Sequence, residues 1–436
     1  MKKILVSGAG HGGLVAAAKL CEAGFSVTVF EKKNRNEMGH DWEDRFTFSL
    51  LEEICGIKET DFPENCWRYR GDCAFVSPAK RKKVIINYTP QTRQRVMWRS
   101  SLINMLIEYA ENKGVEIKFS EEVFAPIIDG KRVTGLKTSA GDFYGDLVID
   151  ASGVFSPVRT NLPESFSIEK MPKHGDLFYA YRAYFNKEEN ISPDVPFEVY
   201  MYHEGEQGLS WFCTNGDNCD VLIGRIDKID ENKVKEQLSI FKKDHPWLGE
   251  TVLNGGQFGV IPVRRPLTLM VADGYAAVGD SAFMTTPMNG MGIDLSLLAG
   301  NLLANTVINS KTDIYSKEVL WSYNRDFHRL YGGDTAKNEG LKNAILSLPS
   351  EGVDFLFESE VIQSSDLAGA GKNTKLSALL GKFKRGMKRP PYFFALINGL
   401  IKGSNASKIY KKAPDTYSDT AVKNWSEKIS SLDIKL

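Results

Sequence analysis

The hydrophobic and polar pattern predicts a compact unit at the start of the chain. Residues 4–6 are a short apolar run of strand formers, and residues 14–23 have the apolar spacing of a helix with a small-residue face. Gly24 ends this helix, and residues 26–30 form a second strand that stops at Glu31. The pattern therefore predicts strand, glycine-rich turn, helix and strand within about 30 residues.

The middle of the chain does not continue as a simple alternation of strands and helices. A helix is predicted over residues 99–113, where apolar side chains recur at helical spacing. Turns at Asp129-Gly130 and Gly141-Asp142 separate short strand patterns, and these cover residues 115–119, 132–137 and 147–150. A three-stranded insertion is expected here, and residues 276–278 then form another strand before a small-faced helix that runs through residue 304.

Aromatic and β-branched runs predict an antiparallel sheet in the third quarter of the chain. These runs cover residues 177–185, 197–203, 208–213 and 219–226. Residues 66–98, with a strong strand pattern at 84–87, are expected to add strands to the same sheet. Residues 311–436 have a mostly helical pattern.

Composition and charge narrow the class of protein. The chain has 436 residues, 42% of them hydrophobic and 25% charged, which is typical of a folded globular protein. Lys+Arg and Asp+Glu both number 55, so the formal net charge is zero, which argues against a nucleic-acid-coating protein. Six cysteines without a C-x-x-C pair argue against a disulfide scaffold and against a zinc site, and we expect no metal.

The first candidate chemistry is the glycine-rich turn Gly8-Ala9-Gly10-His11-Gly12-Gly13. Gly8 allows a tight turn, Gly10 lets the backbone approach a pyrophosphate, and Gly13 lets the helix lie close to the strand. The helix N-terminus offers N–H groups to phosphates, and Glu31 can accept hydrogen bonds from both ribose hydroxyls. The unit predicts a dinucleotide site, for FAD or NAD, because the acid would repel the 2′-phosphate of NADP.

Two further motifs decide between these dinucleotides. Asp150-Ala151-Ser152-Gly153 ends a predicted strand, and Gly279-Asp280 is followed by Pro287-Met288-Asn289-Gly290-Met291-Gly292 at a helix start. With the first motif, these segments resemble the FAD-dependent oxidoreductases of the para-hydroxybenzoate hydroxylase fold, over roughly residues 1–310. Within that group the chain is most similar to the geranylgeranyl reductase family, which saturates isoprenoid double bonds, and residues 262–266 fit that family's approach to the flavin.

The resemblance implies the fold class and the domains. The fold is α/β: a Rossmann-like FAD-binding domain, an inserted antiparallel β-sheet substrate domain and a helical C-terminal region. The FAD-binding domain would comprise residues 1–65, 99–165 and 258–310, the substrate domain residues 66–98 and 166–257, and the C-terminal region residues 311–436.

The resemblance also implies the cofactor contacts. Arg99 matches a flavin-contacting arginine, Asp280 would bind the ribityl or pyrophosphate part of FAD, and the N–H groups of residues 290–293 would face the N1/C2-oxygen edge of the ring. The residues expected to bind FAD are Gly8, Ala9, Gly10, Gly12, Gly13, Glu31, Lys32, Arg99, Val123, Gly153, Asp280, Pro287, Gly290, Gly292 and Ile293.

Departures from the family patterns leave the electron donor and the pocket open. Ser152 stands where hydroxylases carry an Asp before glycine, so the donor is either NAD(P)H or a reduced carrier of the ferredoxin type. Of the reductases' Tyr-x-Trp-x-Phe-Pro pattern only Trp211 is present. Trp211, Tyr181 and Tyr202 are candidates for an apolar substrate pocket, with ordinary sheet packing as the alternative. No residue is identified as catalytic.

Three functions remain open at this point. The first is an FAD-dependent oxidoreductase that reduces C=C bonds of an isoprenoid or other apolar substrate. The second is a monooxygenase of an aromatic or apolar substrate, and the third is a flavin-binding electron carrier without an organic substrate. An electron-donor protein is an expected partner for the first.

Apolar and basic segments of the chain indicate where in the cell the protein is expected. The N-terminus lacks the pattern of a signal peptide, and no segment has the ~20 apolar residues of a membrane helix, so the cytoplasm is expected. The basic run 382–389 next to the apolar residues 392–401 suits a peripheral membrane contact, with a solvated turn beside a packed helix as the alternative.

Overall fold

The computed structural model describes residues 1–367 and 376–432. Its strands, in chain order, are β1 (Lys3–Ser7), β2 (Ser26–Glu31), β3 (Glu43–Asp44), β4 (Trp67–Tyr69), β5 (Cys73–Val76), β6 (Lys83–Ile86), β7 (Arg95–Trp98), β8 (Glu116–Phe119), β9 (Val123–Asp129), β10 (Arg132–Thr138), β11 (Gly141–Tyr144), β12 (Leu147–Asp150), β13 (Leu177–Lys187), β14 (Phe197–Met201), β15 (Gly208–Thr214), β16 (Asn218–Arg225), β17 (Leu248–Pro262), β18 (Val271–Ala272) and β19 (Tyr275–Ala277).

Helices dominate the last third of the chain. The helices are α1 (His11–Glu22), α2 (Phe48–Cys55), α3 (Arg99–Asn112), α4 (Pro157–Thr160), α5 (Glu231–Asp244), α6 (Ile293–Ile308), α7 (Lys317–Phe327), α8 (Gly333–Leu346), α9 (Ser350–Glu358), α10 (Ser364–Leu367), α11 (Leu376–Gly386), α12 (Pro390–Tyr410) and α13 (Asp419–Ser430).

A six-stranded sheet in the order β18-β19-β12-β1-β2-β8 forms the first layer. Its neighbours pair in parallel from β19 to β8, and only β18 runs antiparallel. Ile4, Leu5 and Val6 of β1 are all buried, as expected for a central parallel strand covered on both faces. The predicted α/β fold class is confirmed.

A three-stranded antiparallel sheet, β11-β10-β9, is present here, but of the strands predicted for the insertion only residues 132–137 belong to it. Residues 115–119 and 147–150 instead correspond to β8 and β12 of the six-stranded sheet. Asp129 and Gly130 form its first turn, where Gly130 has a φ of +58°. The predicted Gly141-Asp142 turn is wrong, because Gly141 already pairs with Thr138 at the start of β11. Residues 139–140 make the turn instead, so a glycine at a strand start was mistaken for a turn glycine.

The larger sheet has seven strands in the order β17-β13-β16-β15-β14-β5-β6. The prediction that residues 66–98 add strands to it holds for β5 and β6 only. Strand β7 pairs with both β3 and β4 in a separate three-stranded sheet, which the strand pattern of each segment could not reveal. Strand β17 also runs without a break across the predicted domain boundary at residue 258.

The two faces of the seven-stranded sheet have different neighbours. We call the face that bears Arg182 and Trp211 the inner face, and the opposite one the outer face. Phe212 and Ile223 of the outer face pack against Phe241 of α5. The inner face meets the β3 segment, where Glu43 O accepts a hydrogen bond from Arg182 Nη1 at 2.6 Å, and also meets the C-terminal helices.

The C-terminal helices pack closely on one another and on the inner face. A Cβ on Gly340 of α8 would lie 2.7 Å from Gly399 O of α12, so these helix backbones nearly touch. Phe178 and Ile261 of the large sheet pack against the cluster of Leu346 and Leu356. Among the described residues, no helix combines the length and the apolar character needed to cross a bilayer.

Candidate functional site

The glycine turn between β1 and α1 forms one wall of the site. Gly8 has a φ of +88° and lies against the end of β12, where a Cβ would be 2.7 Å from Ala151 O. A Cβ on Gly13 would lie 2.5 Å from the Cβ of Ala151, which fits the predicted role in close helix–strand packing. Among the described residues no side chain caps α1 at Gly10, so its first N–H groups are available to an anion.

Glu31 lies at the end of β2 beside this turn. Its two carboxylate oxygens accept backbone hydrogen bonds from Ala9 N–H at 2.9 Å and from Lys33 N–H at 3.0 Å. Each oxygen keeps a lone pair for a further donor, which suits two ribose hydroxyls. The adjacent Lys32 is exposed, and Val123 is buried at the start of β9.

The middle motif, which begins at Asp150, is held in place by buried hydrogen bonds. Asp150 is fully buried and accepts hydrogen bonds from Ser152 Oγ at 2.6 Å and Tyr275 Oη at 2.9 Å. Ser156 caps α4, and the buried guanidinium of Arg159 donates to backbone carbonyl groups. These groups hold the backbone that lies against Gly8.

The late motif joins the same site through hydrogen bonds. Gly153 N–H donates to Ser281 Oγ at 3.2 Å, and Asp280 Oδ1 accepts from Thr285 Oγ1 at 3.1 Å. Gly292 precedes α6, and a Cβ there would lie 2.8 Å from Thr285 Oγ1. Burial raises the pKa of the Asp280 carboxyl above its ordinary value, against the smaller opposing effects of Thr285 and Arg99.

The loop between Asp280 and α6 is arranged for backbone contacts. Gly290 has a φ of +67°, and a Cβ there would come within 3.5 Å of Ile261 on the inner face. Pro287 is buried, and Ile293 begins α6 with Gly292 as its N-cap. In the described part of the chain no side chain caps this helix, so its dipole end faces the same space as Asp280.

Arg99 faces the site from the start of α3. Its Nε donates to Asp44 Oδ2, and its guanidinium carbon lies 5.8 Å from the Trp42 ring centroid. Burial together with the charge of Arg99 lowers the pKa of both His11 and His40 to about 4. Both rings are therefore neutral near pH 7.

The segment that carries Trp42 was not predicted to belong to the site. His40 stacks on Trp42 at 4.4 Å, and the Trp42 ring lies against Gly259, where a Cβ would be 2.6 Å from it. His40 and Asp41 also contact the Gln257 side chain. The only sequence signal was an aromatic residue beside an acidic pair, which is too common to identify a site.

The three substrate-pocket candidates do not lie together. Trp211 is partly exposed on the inner face and donates from Nε1 to Asp220 Oδ1 at 3.2 Å. Tyr181 lies on the outer face against Phe258, because side chains alternate along β13. Tyr202 is buried under the C-terminal helices and donates to Ile345 O at 2.8 Å. Trp211 is on the inner face, Tyr181 is on the outer face, and Tyr202 lies in the cluster between the sheet and the C-terminal helices.

A buried charge network connects the inner face to the β3 segment. Arg182 forms a bidentate ion pair with Asp220, with N–O distances of 2.8 and 2.7 Å. Arg68 forms another with Glu43. The Arg182–Asp220 pair, with the Arg182 hydrogen bond to Glu43 O, joins the large sheet to the β3 segment, which also carries Asp44, the partner of Arg99.

These features fit FAD. Backbone N–H groups at α1 suit a pyrophosphate, Glu31 suits a ribose, and the glycine positions leave space that any Cβ would fill. His11 Nε2 is buried without a hydrogen-bond partner among the described residues, which is expected where a polar ligand supplies one.

Comparisons with known proteins agree with this geometry. The family model described as FAD binding domain matches residues 1–331. The digeranylgeranylglycerophospholipid reductase of Sulfolobus acidocaldarius is 23% identical over 422 residues, which cover 90% of this chain and 89% of that protein. Its counterpart numbered 1 in Methanococcoides burtonii is 26% identical over 378 residues, covering 81% and 86% of the two chains.

A solved structure shares the fold over nearly the whole chain. The geranylgeranyl bacteriochlorophyll reductase-like protein of Thermoplasma acidophilum superposes with a TM-score of 0.72 at 18% identity, and covers 91% of this chain and 99% of that one. The predicted resemblance and the predicted cofactor, FAD, are confirmed. The chain belongs to the FAD binding domain family and is an FAD-dependent oxidoreductase with a geranylgeranyl reductase-like fold.

Proposed function

We propose that this protein reduces carbon–carbon double bonds of an isoprenoid lipid. The observation that carries the proposal is a line of apolar side chains on the inner face that ends at the Gly290 loop: Leu209, Phe178 and Ile261 are only partly buried, and Ile261 lies against Gly290. The names of the reductases from Sulfolobus and Methanococcoides support it. A partly open apolar surface beside a cofactor site suits a long hydrocarbon substrate.

The chain's own groups would bind and shield the reacting partners. Gly8 to Gly13 and Glu31 would hold the nucleotide part of FAD, and Asp280 and residues 290–293 the part nearer the ring. When bound, FAD supplies hydride chemistry. The uncapped N-terminus of α6 would stabilise negative charge on the bound cofactor, and the stacked His40 and Trp42 rings would help to exclude water from the site.

Anaerobic turnover tests the proposal. The purified FAD-loaded protein is reduced with dithionite and incubated with a panel of prenyl lipids, and the lipids are analysed by mass spectrometry. We expect products that gain two hydrogens for each saturated bond. The oxidised protein without dithionite is the control, and a panel that stays unchanged in both samples would contradict the proposal.

The electron donor is the second part of the proposal. Because Ser152 replaces an acidic residue beside Gly153, we propose a reduced ferredoxin-type carrier rather than NAD(P)H. Rapid mixing of the oxidised protein with NADH, NADPH or reduced ferredoxin measures the rate of flavin bleaching. Fast bleaching by a nicotinamide, together with a product that gains an oxygen atom in air, would favour the monooxygenase alternative.

We also propose that the C-terminal region contacts an anionic membrane surface. Phe383 of α11, Met387 of the turn that follows it and Phe394 of α12 are exposed, near the exposed Lys384 and Lys388. Exposed aromatic residues next to cations are typical of interfacial helices. Such a contact would let the protein receive a lipid from the bilayer.

Vesicle sedimentation tests this contact. The wild-type protein is expected to sediment with anionic vesicles, less so at high salt, and little with zwitterionic ones. Phe383→Ser combined with Phe394→Ser should remove binding. The control is Phe124→Ser, because Phe124 is 52% exposed on the inserted sheet, away from this helix pair. Equal sedimentation of all three proteins would exclude the proposed surface.

A further inference from the structure

The inner face carries a buried cation that the fold leaves without a full partner. Arg70 follows β4 and is only 8% exposed. Its Nε has no hydrogen-bond partner among residues 1–367 and 376–432. The carboxylate beside it, Asp220, lies 3.8 Å from Nη2, beyond hydrogen-bond distance.

The carboxylates near Arg70 are occupied by other groups. Both oxygens of Asp220 are bound by Arg182, and Oδ1 also accepts from Trp211. Glu43 is bound by Arg68. Asp72, two residues after Arg70, accepts the backbone N–H of Tyr88 at 2.8 Å. Three guanidinium groups thus share the two carboxylates of the network, and Arg70 is the one without a bidentate partner.

Aromatic rings hold this guanidinium in place. The guanidinium carbon of Arg70 lies 4.4 Å from the Phe197 ring centroid and 5.8 Å from that of Trp211. Such contacts stabilise the cation without neutralising it. Arg70 has a long ion pair with Asp220 but no hydrogen-bonded carboxylate, and a buried donor without an acceptor is costly, so an oxyanion is a ligand that would complete its contacts.

A line of apolar side chains crosses the inner face from Trp211 to the Gly290 loop, beside the Arg182–Asp220 pair and next to the C-terminal helices. Leu209 lies beside Trp211 on the same face of β15. Phe178 lies on β13, and Ile261 lies on β17 against Gly290. These side chains are partly buried. Three strand spacings separate β15 from β17, which is about 14 Å. A molecule that spanned this distance would have an anionic end and an apolar chain.

We propose that Arg70 binds the phosphate headgroup of the lipid substrate while the prenyl chain extends along the inner face toward the Gly290 loop. The assignment rests on the proposed reductase function and specifies which end of the lipid enters which part of the site. It makes Arg70 a specificity-determining residue, because a neutral prenyl alcohol would not supply an anion that accepts hydrogen bonds from its guanidinium.

Ligand binding to the FAD-loaded protein tests the assignment without turnover. The probes are geranylgeranyl phosphate, geranylgeraniol and inorganic phosphate, and binding is followed by tryptophan fluorescence, since Trp211 borders the site. The wild-type protein should bind the lipid phosphate at least ~10-fold more tightly than the alcohol. Inorganic phosphate should bind far more weakly than the lipid phosphate.

Variants connect this preference to Arg70. Arg70→Gln should lose the preference for phosphate and keep the affinity for the alcohol. Arg93→Gln is the matched control, because Arg93 is exposed on the neighbouring loop and should leave both affinities unchanged. Arg70→Lys keeps the charge but lacks the bidentate fork, so its preference should be several-fold smaller than that of the wild type.

Several results would overturn the assignment. These are equal affinity of the wild type for phosphate and alcohol, a full phosphate preference in Arg70→Gln or Arg70→Lys, or inorganic phosphate binding as tightly as the lipid phosphate. Circular dichroism and thermal melting verify that each variant is folded. If Arg70→Gln does not fold, the phosphate preference of Arg70→Lys decides whether the assignment holds. A phosphate preference without any double-bond saturation would instead reject the reductase function and leave the anion site standing.

Discussion

Two carboxylates of the candidate site have opposite surroundings. Glu31 accepts two backbone N–H groups, which hold it in position. Asp280 accepts one hydroxyl, and burial raises its pKa. The first carboxylate is stabilised by the fold itself, whereas the second is an unfavourable charge until a ligand supplies donors.

Replacing Glu31 with Gln should weaken FAD binding by about 10- to 100-fold, because charged hydrogen bonds are lost and the amide NH₂ must face a backbone N–H. Titration of the apoprotein with FAD, followed by flavin fluorescence, measures the affinity. Glu53→Gln, at an exposed position, is the control. Unchanged affinity in Glu31→Gln would remove Glu31 from the cofactor site.

Replacing Asp280 with Asn should stabilise the FAD-free protein at pH 7 and weaken FAD binding. A carboxyl whose pKa is raised by folding contributes its stability below the ordinary carboxyl pKa and loses it as pH rises through the raised value. The gain in Asp280→Asn should therefore disappear as pH falls toward 4. Urea unfolding across this range measures it, with the exposed Asp227→Asn as control. A variant less stable than the wild type at pH 7 would contradict this account.

Individual residues differ in how far the sequence identifies them. Gly8 and Gly13 were predictable because their role depends on a local turn and on close packing next to a strand. Arg182 and Asp220 were not, because their ion pair joins strands whose pairing depends on the whole sheet. The sequence would have placed Tyr181 on the face opposite Arg182, because neighbouring side chains of one strand point to opposite faces of the sheet.

Helices α1 and α6 approach each other at two glycines. A Cβ on Gly300 would lie 2.2 Å from Gly12 O, and one on Gly12 would lie 2.5 Å from Ser296 O. Gly12 belongs to the glycine-rich turn between β1 and α1. The packing of α6 against Gly12 therefore helps to set the position of that turn. This close contact explains the small-residue face that the sequence predicts for α6.

Replacing Gly300 with Ala should destabilise the protein by about 1–3 kcal/mol, because the helices must separate, although alanine alone favours a helix by about 1 kcal/mol. FAD affinity should fall with it. Gly216→Ala is the control, since no atom lies within 4 Å of a Cβ there. Its stability should be unchanged or slightly higher. Urea unfolding measures both, and a Gly300→Ala protein as stable as wild type would disprove the close contact.

Element types were more predictable from the sequence than element partners. The period of apolar residues predicted β1, α1, β2 and α3 close to their observed bounds. The same period in β4 and β7 did not reveal that β7 pairs with β3 and β4 rather than with the large sheet, because a strand pattern carries no information about which edge is free. The glycine turn and the Asp150 and Asp280 motifs could be recognised because each is local, while the Trp42 segment lies at the candidate site only through tertiary contacts.

At the scale of the whole molecule, one ligand site joins segments that are far apart in the chain. Gly8, Gly153 and Asp280 meet through packing and hydrogen bonds. FAD binding should therefore stabilise the protein as a unit, by about 2.7 kcal/mol at a concentration 100 times its Kd. Calorimetry at increasing FAD concentration should show a melting temperature that rises by several degrees. A melting temperature independent of FAD would argue against a site shared by these segments.

The position of β19 in the six-stranded sheet has a consequence for biosynthesis. This strand pairs with β12 although some 125 residues separate them, and the Asp280 motif follows it directly. A ribosome must therefore synthesise most of the polypeptide before every segment that forms the candidate nucleotide site is present. Until then the nascent Rossmann half exposes the edge of β12, and chaperones have a defined strand edge to protect.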